Sequence, residues 1–277
     1  MIDPSASAAA RRRDRRVYLH SHPVLFAVLC ATRRRPVVRI GRTVLVHGTD
    51  AYREALTRVP LDRTATGTTG GAAARLTDGG LLFDQDGDEH RAARRAVAGG
   101  LNSGAQEQIR PLWQSVLADT VPALATGPLE LVGLTAKLAG VTAAALTGTD
   151  ACPHQLAQAA RDTAAATARE HLPGPRRPTG GTAEAARLTA LLPDPQDAML
   201  AVAAVNTTLA AVPRAVAWCA DAGLWPQVDE TTAPHLAAEL LRLTAPSPLL
   251  PRVAAADATV AGHPVRAGDR LVLVARH

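Results

Sequence analysis

From Asp88 onward the pattern of apolar and polar residues is helical along most of the chain. It predicts helices over about 88–98, 104–125, 130–147, 151–171, 182–191, 195–220 and 231–243. Upstream, the pattern predicts a short buried helix over Pro23–Arg34. Thr49 and Asp50 are placed to cap another helix, from Ala51 to Val59.

Short β-rich runs lie near both ends of this helical region. Val37–Ile40 and Thr43–Val46 are joined by Gly41 and Arg42, which predicts a hairpin. Three further runs, Leu250–Val260, His263–Arg266 and Arg270–Val274, predict a second small sheet. The fold class expected from the whole pattern is therefore mainly α with small β-sheets.

Two segments predict long loops. Residues 60–80 are rich in threonine and glycine, and a loop of that length in a compact domain is usually functional or mobile. Residues 172–181 combine proline and glycine too densely for a helix.

Composition narrows the possible classes of protein. Of 277 residues, 47% are apolar and 20% are charged, which is typical of a globular chain. The net charge of +5 is concentrated in Arg11–Arg16 and Arg33–Arg35, without the interleaved aromatic residues of a nucleic-acid surface. We therefore expect no nucleic-acid partner, a flexible basic tail over residues 1–16 and a single domain over residues 17–277.

Cysteine usage and hydropathy indicate a compartment. Cys30, Cys152 and Cys219 are widely spaced, without the spacing of a zinc site, as in a reduced cytoplasmic protein. The longest apolar stretch, Val24–Ala31, is far shorter than the roughly 20 residues that a membrane span needs. We expect a cytoplasmic protein with no membrane partner.

His90 and Arg94 lie four residues apart on a predicted helix and therefore share one face. An imidazole and a guanidinium placed in this way can bind an anionic group, since arginine offers a two-pronged hydrogen bond to a carboxylate. The alternative is a solvated basic helix, because this spacing also occurs by chance.

The long helix predicted over 195–220 contains Ala203-Ala204-Val205-Asn206-Thr207-Thr208. A polar pair within an apolar helix is a candidate for chemistry. However, threonine hydroxyls in a buried helix also bond back to the carbonyls of their own helix. Asn206 can form hydrogen bonds but cannot ionise, so it cannot relay a proton as an acid would.

Two further candidates lie downstream. Glu239 and Arg242 are three residues apart, a spacing that often gives only a weak surface ion pair. Because Leu240, Leu241 and Leu243 surround them, we expect the pair to be partly buried. Arg252 lies near the start of a predicted strand and by itself indicates nothing.

Taken in order, these segments resemble those of the soluble bacterial cytochromes P450. The resemblance implies that His90, Arg94 and Arg252 bind the propionates of haem, and that Glu239 and Arg242 form a structural lock. It also implies that Asn206 and Thr207 correspond to the oxygen-activation segment. Here Ala204 replaces the family's glycine and Asn206 replaces its acid.

The family's Phe-x-x-Gly-x-x-x-Cys-x-Gly loop, which supplies a thiolate to the iron, does not occur in these 277 residues. None of the three cysteines has the sequence context of that ligand. We expect an incomplete cytochrome P450-like fold, truncated at the C-terminus either naturally or in the gene model, with no metal ligand.

The resemblance implies a haem monooxygenase that acts on a small organic substrate with dioxygen and a ferredoxin-type redox partner. We expect this polypeptide alone to be inactive. Two states of the cofactor stay open, haem bound and haem absent. One alternative is a haem-free auxiliary protein that supports a glycosyltransferase in natural-product (secondary) metabolism. Another is a non-functional remnant.

Overall fold

The computed structural model describes residues 4–68, 70–71, 85, 87–99, 101–171 and 182–275. The first helices are α1 (Pro4–Ser21), α2 (Pro23–Thr32), α3 (Thr49–Arg58), α4 (Gly87–Gly99) and α5 (Ser103–Thr120). They are followed by α6 (Leu131–Thr147), α7 (Pro153–His171), α8 (Thr182–Leu191), α9 (Pro195–Asp221) and α10 (Ala233–Thr244). Short 3₁₀ helices span Val121–Ala125 and Trp225–Gln227.

The described strands form two sheets. They are β1 (Val37–Ile40), β2 (Thr43–Val46), β3 (Leu61–Asp62), β4 (Leu249–Ala254), β5 (Ala258–Val260), β6 (His263–Val265) and β7 (Arg270–Val274). The larger sheet has the order β1-β2-β7-β4-β3, and β5 pairs with β6. In the larger sheet β7 runs parallel to β2 and antiparallel to β4. The expected class, mainly α with small β-sheets, is confirmed.

Alternation along the strands gives the larger sheet two apolar faces. Val46 and Leu273 point to the face that packs against Ala55 of α3. Leu45 and Val272 belong to the opposite face, where α2 packs through Leu29 and its neighbours. This burial on both sides explains why β2 and β7 read as nearly continuous runs of Val and Leu.

The chain divides into two compact units, Met1–Asp62 with Ala210–His277, and Arg63–Leu209. In the first unit Ala10 of α1 packs with Trp218 and Leu240. The single domain predicted over residues 17–277 stays a prediction.

Helices dominate the second unit. Its core joins α6, α7, α8 and the first part of α9. The core residues are small or branched and almost fully buried, among them Ala143, Leu156, Ala160, Leu188 and Val205.

Glycine at position 140 allows α6 and α7 to approach closely. A Cβ added to Gly140 would lie 2.2 Å from the carbonyl oxygen of Pro153. No side chain fits at that separation, so the contact between the two helices depends on this residue.

The structure differs from expectation at three places: the start of α1, the start of α3 and the end of α5. Helix α1 begins at Pro4 where a flexible tail was predicted, and Ala10 and Asp14 within it are buried. Gly48, rather than Thr49 or Asp50, is the N-cap residue of α3, and no side chain caps that end. The helix predicted over 104–125 ends at Thr120 and continues as a 3₁₀ helix.

Of the two predicted loops, residues 60–68 and 70–71 of the first are among the described residues. Within the first, Leu61 and Asp62 form β3 and pair with Ala254 and Val253 of β4. The second, residues 172–181, lies wholly outside them.

Helix α9 is long and apolar enough to cross a membrane by length and composition. A core helix of a globular protein passes the same test. In this chain Ala201 and Val205 of α9 are fully buried against neighbouring helices, so its apolar character serves internal packing at these positions.

Candidate functional site

The predicted anion-binding residues of α4 lie on one side of that helix. His90 is half-buried, and Arg94, one turn later, is exposed. The Arg94 guanidinium forms no hydrogen bond or ion pair with any residue in the described ranges. Its neighbour Arg91, by contrast, is paired with Asp88. The helix therefore presents one uncommitted guanidinium beside an imidazole.

Arg252 lies on β4, opposite Leu271 of β7. Because side chains alternate along a strand, it shares the face of Leu250 and Ala254, which packs against α3. Its NH1 donates a hydrogen bond to the carbonyl oxygen of Pro251 at 2.8 Å. The positive charge of Arg252 also acts on Tyr52 of α3. Burial raises the pKa of the Tyr52 phenol, and the charge of Arg252 acts in the opposite direction. Arg252 is thus held half-buried at the sheet surface.

The three-residue anion cage predicted from the sequence stays a prediction. His90 and Arg94 belong to the second compact unit and Arg252 to the first. The structure supports the side-by-side placement of His90 and Arg94 on their helix.

Helix α9 is unbroken at the pair predicted to activate oxygen. The Thr207 hydroxyl donates to the carbonyl oxygen of Ala203 at 2.7 Å, the back-bond that a threonine makes within a helix. The Asn206 amide donates to Val202 in the same way, at 2.8 Å, and at 3.4 Å to Ala160 of α7. Both polar groups thus bond within their own helix, and Asn206 also contacts α7.

Glu239 and Arg242 form a two-pronged ion pair on α10. The Arg242 Nε donates to Glu239 Oε2 at 2.6 Å, and NH2 donates to Oε1 at 2.5 Å. The arginine's hydrogen bonds lower the pKa of Glu239, and that carboxylate raises the pKa of Arg242. The partial burial expected here is wrong, because the two side chains are 50% and 69% exposed. Only Leu240 of the neighbouring leucines is buried, since α10 turns Glu239, Leu241 and Arg242 outward.

The three cysteines occupy three different environments. Cys30 on α2 and Cys152, just before α7, are exposed, whereas Cys219 is buried in the core shared by α1, α9 and α10. Hydrogen bonds from the backbone of Gln155 and His154 lower the pKa of Cys152, and burial raises the pKa of Cys219. Across the described ranges no three His, Cys, Asp or Glu side chains come together as a metal site requires.

Solved structures of similar fold identify the architecture. P450BioI, solved with an acyl carrier protein ligated to hexadec-9Z-enoic acid, superposes with a TM-score of 0.70 at 17% identity, over 93% of this chain and 78% of that one. OxyA from Actinoplanes teichomyceticus superposes with a TM-score of 0.63 at 18% identity, over 90% of this chain and 74% of its own length. CYP109E1 from Bacillus megaterium, in complex with testosterone, superposes with a TM-score of 0.65 at 15% identity, over 90% of this chain and 75% of that one. The chain has a cytochrome P450 fold.

No protein-family model matches the sequence, and no curated protein matches it either. The relation to the cytochromes P450 therefore rests on three-dimensional structure at low identity.

The charged side chains described above have the chemistry that the carboxylates of a haem require. The free guanidinium of Arg94 beside His90, and Arg252 on its strand, have the chemistry that binds carboxylates such as the two propionates. Of the three described cysteines, Cys219 is packed among apolar side chains, whereas Cys30 and Cys152 are exposed. The arginines therefore suit an anionic group, and the described cysteines assign no ligand to iron.

Sequence reasoning missed a buried ion pair of the first unit. Arg214 Nε on α9 lies 2.6 Å from Asp14 Oδ1 on α1, and the arginine stacks over the ring of Tyr18 at 4.5 Å. The side chains of Arg214 and Asp14 are 11% and 4% exposed. The one available signal was a lone acid inside an arginine run, which we interpreted as part of a solvated tail.

Proposed function

We propose that this protein is a cytochrome P450-type haem protein. The family reaction is the monooxygenation of a small organic substrate with dioxygen, using electrons from a ferredoxin-type partner in the cytoplasm. The observation that supports this best is the combination of the fold with the placement of His90 and Arg94 together on one helix.

In this proposal the chain's own residues bind and orient the cofactor. His90, Arg94 and Arg252 hold its propionates by charge-assisted hydrogen bonds. Glu239 and Arg242 brace α10. When bound, haem supplies the iron centre at which dioxygen is activated.

The structure of α9 argues for weak or absent oxygen chemistry in this polypeptide. The Thr207 proton is committed to the Ala203 carbonyl, and Asn206 has no proton to release by ionisation. No break in the helix exposes a free carbonyl beside them. We therefore expect these 277 residues alone to show no monooxygenase activity.

Haem reconstitution tests the proposal. The purified protein is titrated with haem, and its absorption is recorded after reduction under carbon monoxide. We expect haem to bind without the spectrum of a thiolate ligand. Replacing Arg94 and Arg252 together by glutamine should weaken binding by about tenfold, because two charge-assisted contacts are lost.

The matched control is Arg95→Gln with Arg266→Gln, which removes the same charge from exposed arginines, one in each unit. If both double variants bind haem as the wild type does, the propionate assignment is wrong. A thiolate-type spectrum would overturn our reading of the three cysteines.

A second candidate is a haem-free auxiliary protein that supports a glycosyltransferase of natural-product biosynthesis. The uninterrupted α9 and the structural use of Asn206 favour it, because a scaffold has no need of an oxygen-binding break. Co-expression with a transferase encoded nearby should give a stable complex with raised transferase activity. Separate elution and unchanged activity would reject this candidate.

A further inference from the structure

An apolar cavity of about 80 Å³ lies in the first unit between α1, α2 and the end of β7. Its walls are Tyr18, Leu19, Phe26, Leu29, Pro248 and Val274, and it is also lined by Arg15, Cys30 and Arg33. A single water needs about 10–15 Å³ of such space, so the cavity has room for several waters or for a short alkyl chain. Aliphatic and aromatic walls favour the alkyl chain, because they offer water few hydrogen bonds.

Two arginines from different helices line this cavity. Arg15 lies on α1, and Arg33 is the C-cap residue of α2. Both are exposed, and neither guanidinium has a hydrogen bond or ion pair with any residue in the part of the chain that the structure describes. Uncommitted guanidiniums beside an apolar cavity form a binding surface with one charged and one apolar part.

The local sequence leaves this charge uncompensated. Between residues 4 and 48 Asp14 is the only acid. Its carboxylate is buried, and its charge is compensated by Arg214, whose Nε lies 2.6 Å from Oδ1. A ligand's negative charge at Arg15 and Arg33 therefore meets no competing carboxylate from α1 or α2.

We propose that this cavity binds a small amphiphilic anion, an alkyl chain of medium length that carries a carboxylate. The chain packs on Leu19, Phe26 and Leu29, and the carboxylate pairs with Arg15 and Arg33. Guanidinium suits this role because its fork of N–H donors matches the two oxygens of a carboxylate. The proposal does not depend on haem or on the reaction discussed above.

Calorimetric titration with hexanoate, heptanoate and octanoate tests the apolar part. Each added methylene that enters the cavity should tighten the dissociation constant by about fourfold, the effect of burying one CH₂ group. Octan-1-ol and octylammonium serve as controls for the charge and should bind more weakly than octanoate. Equal binding of the three head groups would overturn the proposal.

Arginine variants test the charged part. Arg15→Gln with Arg33→Gln should weaken octanoate binding at least about fivefold, since two exposed charge contacts are lost. Arg34→Gln with Arg35→Gln removes the same charge from exposed arginines that do not line the cavity, and should leave binding nearly unchanged. If octanoate binding weakened equally in both double variants, the effect would be one of net charge and the proposed site would be wrong.

Cys30 provides a readout at the site itself. Octanoate should slow the modification of Cys30 by a small alkylating reagent, measured by mass spectrometry, while Cys152 reacts at its usual rate. Both thiols are exposed, but Cys30 alone of the two lines the cavity. Unchanged modification of Cys30 at saturating octanoate would overturn the proposal.

Discussion

At the scale of single residues, Asp229 shows how one carboxylate organises the approach to a helix. Its Oδ1 accepts hydrogen bonds from the hydroxyl and backbone N–H of Thr231 at 2.7 and 2.8 Å, and from the N–H of Thr232 at 2.8 Å. These bonds favour the ionised form and lower the pKa of Asp229 from 3.8 to about 2. Asp229 thus satisfies backbone donors immediately before α10.

The lowered pKa predicts a dependence of stability on pH. A carboxylate with a depressed folded pKa stabilises the fold above its unfolded pKa, and that contribution is lost as the pH falls from about 4 to about 2. In Asp229→Asn this part of the pH dependence should disappear. Urea unfolding at pH 5 and pH 2.5 measures the difference.

Glu107→Gln is the control, because it removes an exposed carboxylate that has no hydrogen-bond partner among the described residues. It should keep the wild-type loss of stability between the two pH values. An Asp229→Asn variant that loses as much stability as the wild type would contradict the assignment.

Individual polar contacts were only partly predictable from the sequence. The back-bond of Thr207 was expected as one alternative, because it depends on residues within a single turn of helix. The exposure of Glu239 and Arg242 was not, because the leucines beside them point to two sides of α10. Whether a side chain is buried depends on the orientation of its helix, and the identities of the adjacent residues do not specify that orientation.

At the scale of elements, the contact of α6 with α7 depends on Gly140. Replacing it with alanine would place a methyl group 2.2 Å from the Pro153 carbonyl oxygen, and backbone atoms cannot move aside cheaply. We expect Gly140→Ala to destabilise the protein by about 2 kcal/mol, within the range for overpacking. The free energy of unfolding from urea titration measures the change.

Gly99→Ala is the matched control at the end of α4. No atom of a described residue outside the adjacent positions lies within 4 Å of a Cβ there, so the substitution should be neutral or slightly stabilising. Equal stability of Gly140→Ala and wild type would show that α6 and α7 are less closely packed than the structure indicates.

The elements themselves were largely predictable, because hydrophobic pattern and helix-breaking residues act locally. The hairpin of β1 and β2 and the helices α6, α8 and α9 begin and end close to the predicted residues. Helix α1 was not predicted: its arginines resemble a solvated tail, and its packing depends on partners some 200 residues away. Asp14 and Arg214 are 200 positions apart in the sequence, so a local hydrophobic pattern cannot predict their contact.

At the scale of the whole molecule, a buried ion pair holds α1 against the rest of the first unit. Asp14 bonds to Arg214, and the hydroxyl of Tyr18 donates to the carbonyl oxygens of Thr244 and Ala245 at 2.9 and 3.2 Å. Removing one member of such a pair leaves the other charge buried without compensation. The two ends of the chain are therefore linked within one unit.

We expect Asp14→Ala to lower the free energy of unfolding by about 3 kcal/mol, at the lower end for broken buried pairs because Arg214 keeps some access to solvent. Arg13→Gln, which breaks the more exposed pair with Asp221, should cost less than about 1 kcal/mol.

Hydrogen exchange locates the effect. Asp14→Ala should lower the protection of amides in α10 and β7 more than in α6 and α7, because stability is distributed over cooperative units. Equal losses throughout the chain would show that the two compact units unfold as one.

The position of β7 has a consequence for the nascent chain. This strand lies between β2 and β4, and Thr43 of β2 has its partner at Arg270. On the ribosome, β1 and β2 are made early but must wait through nearly the entire synthesis of these residues for the strand that completes their sheet. Residues 63–209 can assemble their helices meanwhile. During that interval the edge of β2 that later pairs with β7 has no partner for its backbone N–H and C=O groups.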